Sequence, residues 1–270
     1  MKKFFEYIGL LSLMSFSFFL TNKTVDVAKN MDDIMIQIKD NKDTYKVLKE
    51  EAEISDDYFI PGIFGYEVNV NKSYKHMKKV GVYDPSLYIY DDIKVSSRIK
   101  DNLDKYIKSG NKNKNMVSIV IFFDKNNIDN LLKKIGNTKI SFVVNYENLL
   151  NDKDILNELI TKGHNIIINS SDSIDLYISF LNNKPQEKMF CLNTNMDNDF
   201  KNKCLNNQLI SLGVNKINKQ YLYNVKKNLL SGTIFVFDGN VLNEINTIIN
   251  YIESKGFIID NLNEHLKEER

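Results

Sequence analysis

The sequence predicts an α/β protein built on a parallel sheet, and three observations carry that expectation. Beyond Gly110, apolar runs of strand length alternate with segments of helical periodicity. The runs "MVSIVIFF", "KISFVVN" and "HNIIINS" are almost unbroken at their centres, as expected of strands covered on both faces. The segments between them, "IDNLLKKIG" and "ENLLNDKDILNELITKG", are long enough to cross from one parallel strand to the next. Such a sheet is either open or closed into a barrel.

At the N-terminus, "MKKFFEYIGLLSLMSFSFFL" sets Lys2 and Lys3 before an apolar run. Its strongly apolar part, residues 8–20, falls short of the ~20 residues of a typical spanning helix. Adding Phe4 and Phe5, with tilt, brings the run to spanning length. No small-x-small cleavage site follows, so residues 1–22 are expected to be an uncleaved anchor in the cell membrane, with the remaining chain outside. A cleaved signal peptide, giving a secreted protein, is the alternative.

Residues 23–57 are strongly polar and read as a stalk with little buried structure. Within them "IMIQIKD" alternates as a strand does, and "TYKVLKEEAEI" fits strand or helix. Residues 58–110 read as a small strand-rich segment with turns at Pro61-Gly62 and Asp84-Pro85. Asn71 or Ser73 is placed to cap a short helix that Gly81 ends. Tyr74, Tyr83, Tyr88 and Tyr90 are expected to pack in a core or interface rather than to present a sugar platform. The polar stretch "KSGNKNKNM" sets a domain boundary near Gly110, leaving residues 111–270 as the β/α domain. In that domain Leu149, Ile155, Leu159 and Ile160 form the inner side of one helical segment. Its last elements are the strands "GTIFVFDGN" and "FIIDNL", separated by the helix "VLNEINTIINYIESKG".

Composition narrows the function classes. Hydrophobic residues make up 43% and charged residues 26%, which are globular values. A net charge of +1 lacks the basic footprint of a nucleic-acid binder, so no nucleic-acid partner is expected. Two cysteines, Cys191 and Cys204, and three scattered histidines do not make a zinc module. A disulfide and a pair of free buried thiols both fit the cysteines.

Several strings now fall into a known order. "FFDKNN", "ISFVVN", "KGHNIIINSSDS", "FCLNTN", "GTIFVFDGN" and "KGFIIDNLNEHL" follow one another over residues 116–266. Together they resemble the polysaccharide deacetylase (NodB-type) family, whose motifs run "TFDDGP", "ATFFVVG", "AGHEIGNHTxSH", "RPPYG", "GSIILLHDG" and "KGYKFVTLSELL". The resemblance implies a distorted (β/α) barrel preceded by the anchor and the strand-rich segment. It also implies the family's chemistry, in which an Asp and two His hold a divalent ion whose bound water is activated by a second Asp.

Carried over position by position, that chemistry is lost. Asp124 matches the family base and Lys125 stands where a metal-binding Asp is expected. Asn169 and Ser173 stand at the two metal histidines, neither of them a competent ligand. Cys191, Leu192 and Asn193 replace the Arg-Pro loop, and Phe237 replaces the acid His before Asp238 and Gly239. No metal cofactor, zinc or otherwise, is therefore expected, and no catalytic residue is assigned with Asp124 alone. Asp124, Asn169 and Asp238 are the relic cleft residues the resemblance leaves; the other reading of Asp124 is a plain cap for the turn "DKNN".

None of the histidines rescues a site. His164 matches a non-catalytic family His that satisfies a local hydrogen bond, His76 lies in the N-terminal segment, and His265 reads as part of a polar helix face. Ser170, Ser171 and Asp172 have no His near them in sequence and read as a polar strand end. The expectation is an extracytoplasmic deacetylase-like protein without catalysis, taking cell-envelope polysaccharide or a protein partner in the old cleft. The alternative is a divergent metal-dependent N-deacetylase of cell-surface glycan, and a purely structural role is a third reading.

Overall fold

The computed structural model describes the backbone of residues 2–269 and the side chains of 11–19 and 23–269. Strands, in chain order, are β1 (Glu53–Ile54), β2 (Tyr58–Ile60), β3 (Gly65–Val68), β4 (Tyr90–Ile93), β5 (Tyr106–Ile107), β6 (Met116–Phe122) and β7 (Ser141–Val144). They continue as β8 (Asn165–Ile168), β9 (Phe190–Leu192), β10 (Ile210–Leu212), β11 (Lys216–Ile217), β12 (Ile234–Phe237) and β13 (Ile258–Ile259). The helices begin with α1 (Lys2–Asn30), α2 (Asp33–Asn41), α3 (Val70–Val80), α4 (Ile128–Ile135), α5 (Tyr146–Asn151) and α6 (Lys153–Thr161). They end with α7 (Ile174–Leu181), α8 (Asn198–Asn206), α9 (Tyr221–Asn228), α10 (Ile245–Ser254) and α11 (Leu262–His265). The chain forms two compact units, Met1–Lys49 with Gly65–Lys94, and Glu50–Phe64 with Val95–Arg270.

In the first unit, the segment expected to be a polar stalk carries α2, whose Ile34, Met35 and Ile38 are buried. The stretch expected as a strand is helical because these three residues fall on one helical face. Asp32 caps it, accepting a hydrogen bond from the Ile34 amide at 3.0 Å. Ile34 and Ile38 pack with Val68, Met77 and Tyr88. The cap of α3 is Asn69 rather than Asn71 or Ser73: its side chain accepts from the Lys72 amide at 2.8 Å. Ser73 is buried inside the helix and accepts from the Ile89 amide at 2.9 Å. Gly81, at φ +84°, ends the helix as expected. Strands β3 and β4 pair as an antiparallel ribbon. Tyr88 packs edge-on against Tyr45, Tyr83 and Tyr90, the core role expected of the tyrosines.

The apolar N-terminal run forms the first part of α1, and the helix continues through Lys23, Asp26 and Lys29. Among the described residues no helix is long and apolar enough to cross a membrane. The anchor expected over residues 1–22 falls in part on residues 1–10 and 20–22, whose side chains lie outside the described residues.

The second unit holds the large sheet, in the order β1-β2-β5-β10-β9-β8-β7-β6-β12-β11, with β13 on the first residues of β6. Apart from β1 against β2, every pairing is parallel. Side chains sort with period two. Ile119, Ile121, Phe142, Val144, Ile166, Ile168, Phe235 and Phe237 pack against the helices. Their neighbours Val120, Val143, Ile167, Ile234 and Val236 face a second core that also takes in Phe59, Ile107, Leu192 and Leu212. That core joins strands from both ends of the path, so the sheet curls around it. It stops short of closure: β1 and β11 end the path. A parallel strand buried on both faces explains the unbroken apolar runs.

Gly110 lies inside this unit and not at its border. Its amide donates to the Gly232 carbonyl at 2.8 Å, and the Asn111 side chain donates to the Pro61 carbonyl at 3.1 Å. Strands β2 and β5, both upstream of Gly110, extend the sheet.

One end of the inner core is stopped by α11. His265 is fully buried, with Nδ1 2.8 Å from the Ser118 hydroxyl, and its ring lies so close to Gly110 that no side chain fits there. The Leu262 amide donates to Ser141 at 3.3 Å and the Asn263 amide to the Asn165 side chain at 2.9 Å. His265 was expected on a polar helix face; it lies inside because the chain folds back under the sheet. Burial drives its pKa down to about 3, so the ring is neutral.

Candidate functional site

Parallel strands bring their C-terminal ends to one side of a sheet, and the residues that follow form a shared rim. Register sets the rim here: Ile121 pairs Phe142 and Phe237, Val144 pairs Ile168, and Ile168 pairs Cys191. Each strand then runs into a side chain of Asx type, namely Asp124, Asn145, Asn169, Asn193 and Asp238. The structure therefore places Asp124, Asn169 and Asp238 on one rim. Asn145 and Asn193 belong to the same row, legible as an Asn or Asp closing each apolar run and not singled out from the sequence.

Asp124 spends its carboxylate on its own loop. One oxygen accepts from the Asn126 amide at 3.0 Å and the other from the Asn127 side chain at 2.7 Å. This is the turn-capping geometry that the sequence allows for "DKNN". Gly239 lies against it, since a Cβ there would sit 3.8 Å from the Asp124 Cβ.

Lys125, which the resemblance sets at a metal-ligand position, pairs with Asp152 at 2.6 Å. The Asp152 side chain is 6% exposed and the Lys125 side chain 57%, so the pair joins a buried carboxylate to a solvated ammonium. The Lys125 hydrogen bond holds the Asp152 carboxyl below the usual carboxylate range. Asp152 was missed in the sequence, being 27 residues away and marked only by the acidic start of the segment "DKDIL".

At the two positions that the resemblance sets against histidines, Asn169 is exposed, while Ser173 is fully buried with its hydroxyl 2.9 Å from Ser170. Phe237, at the acid position, is buried too, stacked on Phe235 at 6.1 Å and met edge-on by Tyr221 at 5.9 Å. Asp238 accepts from the Tyr221 hydroxyl at 2.6 Å and from the Asn240 amide at 3.1 Å. Burial, with that bond, raises the Tyr221 pKa to about 12. Cys191 is bonded to Cys204, settling the open alternative in favour of a disulfide. Asn193 holds its own loop, donating to Tyr106 at 2.9 Å and to the Asp197 carbonyl at 2.7 Å.

The histidines stand apart. His164 is buried, and its Nδ1 accepts from the Ile140 amide at 3.2 Å, the local bond expected of it. Desolvation lowers its pKa to about 4. His76 is exposed on α3 in the other unit.

Among the described residues no group of three His, Cys, Asp or Glu is placed to hold a metal ion. A buried hydroxyl, an exposed amide and an ammonium already paired do not fit a divalent cation, which needs deprotonated or neutral N, O or S donors converging on one point.

No family model matches the chain. A Bacillus subtilis (strain 168) protein, YlxY, is 30% identical over 99 residues, which cover 36% of this chain. The matched stretch spans 31% of that relative's length. Among solved structures, wild-type BA3943, a carbohydrate esterase family 4 (CE4) pseudoenzyme from Bacillus anthracis, is similar at TM-score 0.63 and 16% identity, over 89% of this chain and 97% of its own. A mutant of BA3943 with restored enzymatic activity gives TM-score 0.63 at 16% identity, over 88% of this chain and all of its own. The Bc1960 peptidoglycan N-acetylglucosamine deacetylase is similar at TM-score 0.51 and 16% identity, over 61% of this chain and 95% of its own. The chain has the CE4 polysaccharide deacetylase fold. Solved structures similar to it include ones described as a pseudoenzyme, and the expected α/β class holds.

Proposed function

We propose that this chain is a non-catalytic member of the polysaccharide deacetylase family that binds cell-envelope polysaccharide along its strand-end rim. The observation that carries this reading is the Lys125–Asp152 pair, which puts a committed ammonium where the family's chemistry needs an anionic metal ligand. The rim keeps polar groups suited to sugar hydroxyls, chiefly the exposed Asn169 amide on the same strand-end row as Asp124 and Asp238. The pseudoenzyme description of BA3943 supports the same reading.

The N-terminal helix holds the protein at the membrane. Leu11, Leu13, Phe16, Phe18 and Phe19 are all more than half exposed, an apolar surface that favours lipid over water. Resistance of the protein to alkaline carbonate extraction from membranes tests this part, and release into the supernatant would refute it.

For the binding role, the purified protein is incubated with insoluble peptidoglycan and with chitohexaose. Binding without acetate release, from protein free of zinc by elemental analysis, is the expected result. Stoichiometric zinc with acetate release would replace this reading with that of a divergent deacetylase.

A further inference from the structure

Where the sheet fails to close, a groove of about 690 Å³ lies between the ends of β5 and β10 on one side and β11, β12 and α9 on the other. Its volume is in the range of pockets that take small ligands. We infer that this groove is a second binding site, separate from the rim, for a saccharide that carries carboxylate or phosphate groups.

Charge is the first argument. Lys108, Lys216 and Lys219 line the groove and no Asp or Glu does. The whole chain has 36 basic against 35 acidic residues, so this wall is strongly biased. The three ammonium groups come from two segments, Lys108 after β5 and Lys216 with Lys219 around β11, and among the described residues none has a carboxylate within 4.0 Å. A cleft lined by one sign of charge concentrates the opposite sign within it.

Placement is the second. Lys216 is fixed by the pairing of β11 with β12, opposite Val236, and its ammonium lies 4.9 Å from the centre of the Phe122 ring. Lys108 is similarly held, 5.1 Å from the centre of the Tyr58 ring. Cation–π contacts of this kind restrain the long side chains before a ligand arrives.

The remaining lining gives the sugar character. Ser109, Asn215 and Asn218 offer hydroxyl and amide groups to ring hydroxyls, and Ile60, Val214 and Ile217 form an apolar strip suited to the C–H face of a pyranose.

The test uses the full chain, titrated by calorimetry with hexagalacturonate as the carboxylate probe, pentamannosyl phosphate as the phosphate probe and chitohexaose as the neutral control. At least one anionic probe should bind, with affinity falling several-fold between 50 and 500 mM salt. The triple variant K108Q/K216Q/K219Q should lose at least tenfold in affinity for that probe while chitohexaose binding stays as in the wild type. The three lysines are exposed, so an unchanged urea midpoint confirms that the variant is folded. Failure of both anionic probes to bind, or equal binding by the variant, overturns the proposal. This proposal requires only that a charged saccharide binds through the lysines, so failure of the wild type to bind chitohexaose refutes the rim reading without touching this one.

Discussion

Lys125 and Asp152 form a 2.6 Å ion pair that ties the loop after β6 to the junction of α5 and α6. The pair fixes this loop at the position that the resemblance sets against a metal-binding Asp.

Replacing Lys125 with Met leaves the Asp152 carboxylate buried and without its ammonium. The expected loss is about 1–2 kcal/mol, modest because the lysine side of the pair is solvated. Urea unfolding at pH 7 measures it. Asp152's folded pKa is lowered, so its contribution is present above the unfolded carboxyl value of ~3.9 and fades as pH falls through the folded one. The wild type and K125M should therefore converge in stability in strong acid; a gap that persists there would show that the pair is not its source.

His164 and His265 are buried and neutral, with pKa values near 4 and 3. Both lie below the unfolded value of ~6.5, so above that pH neither affects stability. As pH falls below it the unfolded chain gains protons that the folded chain refuses, and stability drops by about 1.4 kcal/mol per pH unit for each histidine. Unfolding free energies between pH 6 and 5 should show a slope of about two protons, and H265Q should reduce it to about one. An unchanged slope in H265Q would mean that His265 is solvated.

Placing imidazoles at the two positions that the resemblance sets against metal histidines should have unequal effects. Asn169 is exposed, so N169H is expected to leave stability within about 0.5 kcal/mol. Ser173 is fully buried against Ser170, and S173H overpacks that site at a cost of about 1–3 kcal/mol. Thermal midpoints of the two single variants decide this, and equal midpoints would contradict the packing.

The Cys191–Cys204 disulfide spans 13 residues and joins β9 to α8. Closing a loop of that size should contribute about 3 kcal/mol, read as the difference in urea unfolding between the wild type and C191A/C204A. Both residues are fully buried, so thiol reductants under native conditions should act slowly. Fast reduction of the folded protein would show that the bridge is open to solvent.

The β/α half of the molecule was legible because β6, β7, β8 and β12 are buried on both faces and so are apolar without interruption. The row of Asn and Asp that closes those runs was legible too, though only three of its members were read as cleft residues. What stayed hidden depended on distant contacts. Helix α2 is too short for its period to stand out from strand alternation. Strands β2 and β5 are two or three residues long and carry no pattern at all, so the sheet's extension past Gly110 left no trace. The fates of Lys125 and His265 are settled by Asp152 and Ser118, partners that nothing in their local sequence announces.

Strand β6 bears on how the nascent chain matures. Two of its pairings, Ile119 with Phe235 and Val117 with Ile259, join segments more than a hundred residues apart. While the ribosome is still synthesising the second half, the hydrophobic centre of this strand has only β7 beside it. Such distant pairings form slowly and leave sticky surface waiting for its cover. A chaperone that shields residues 116–122 until β12 and β13 emerge would raise the yield of native protein.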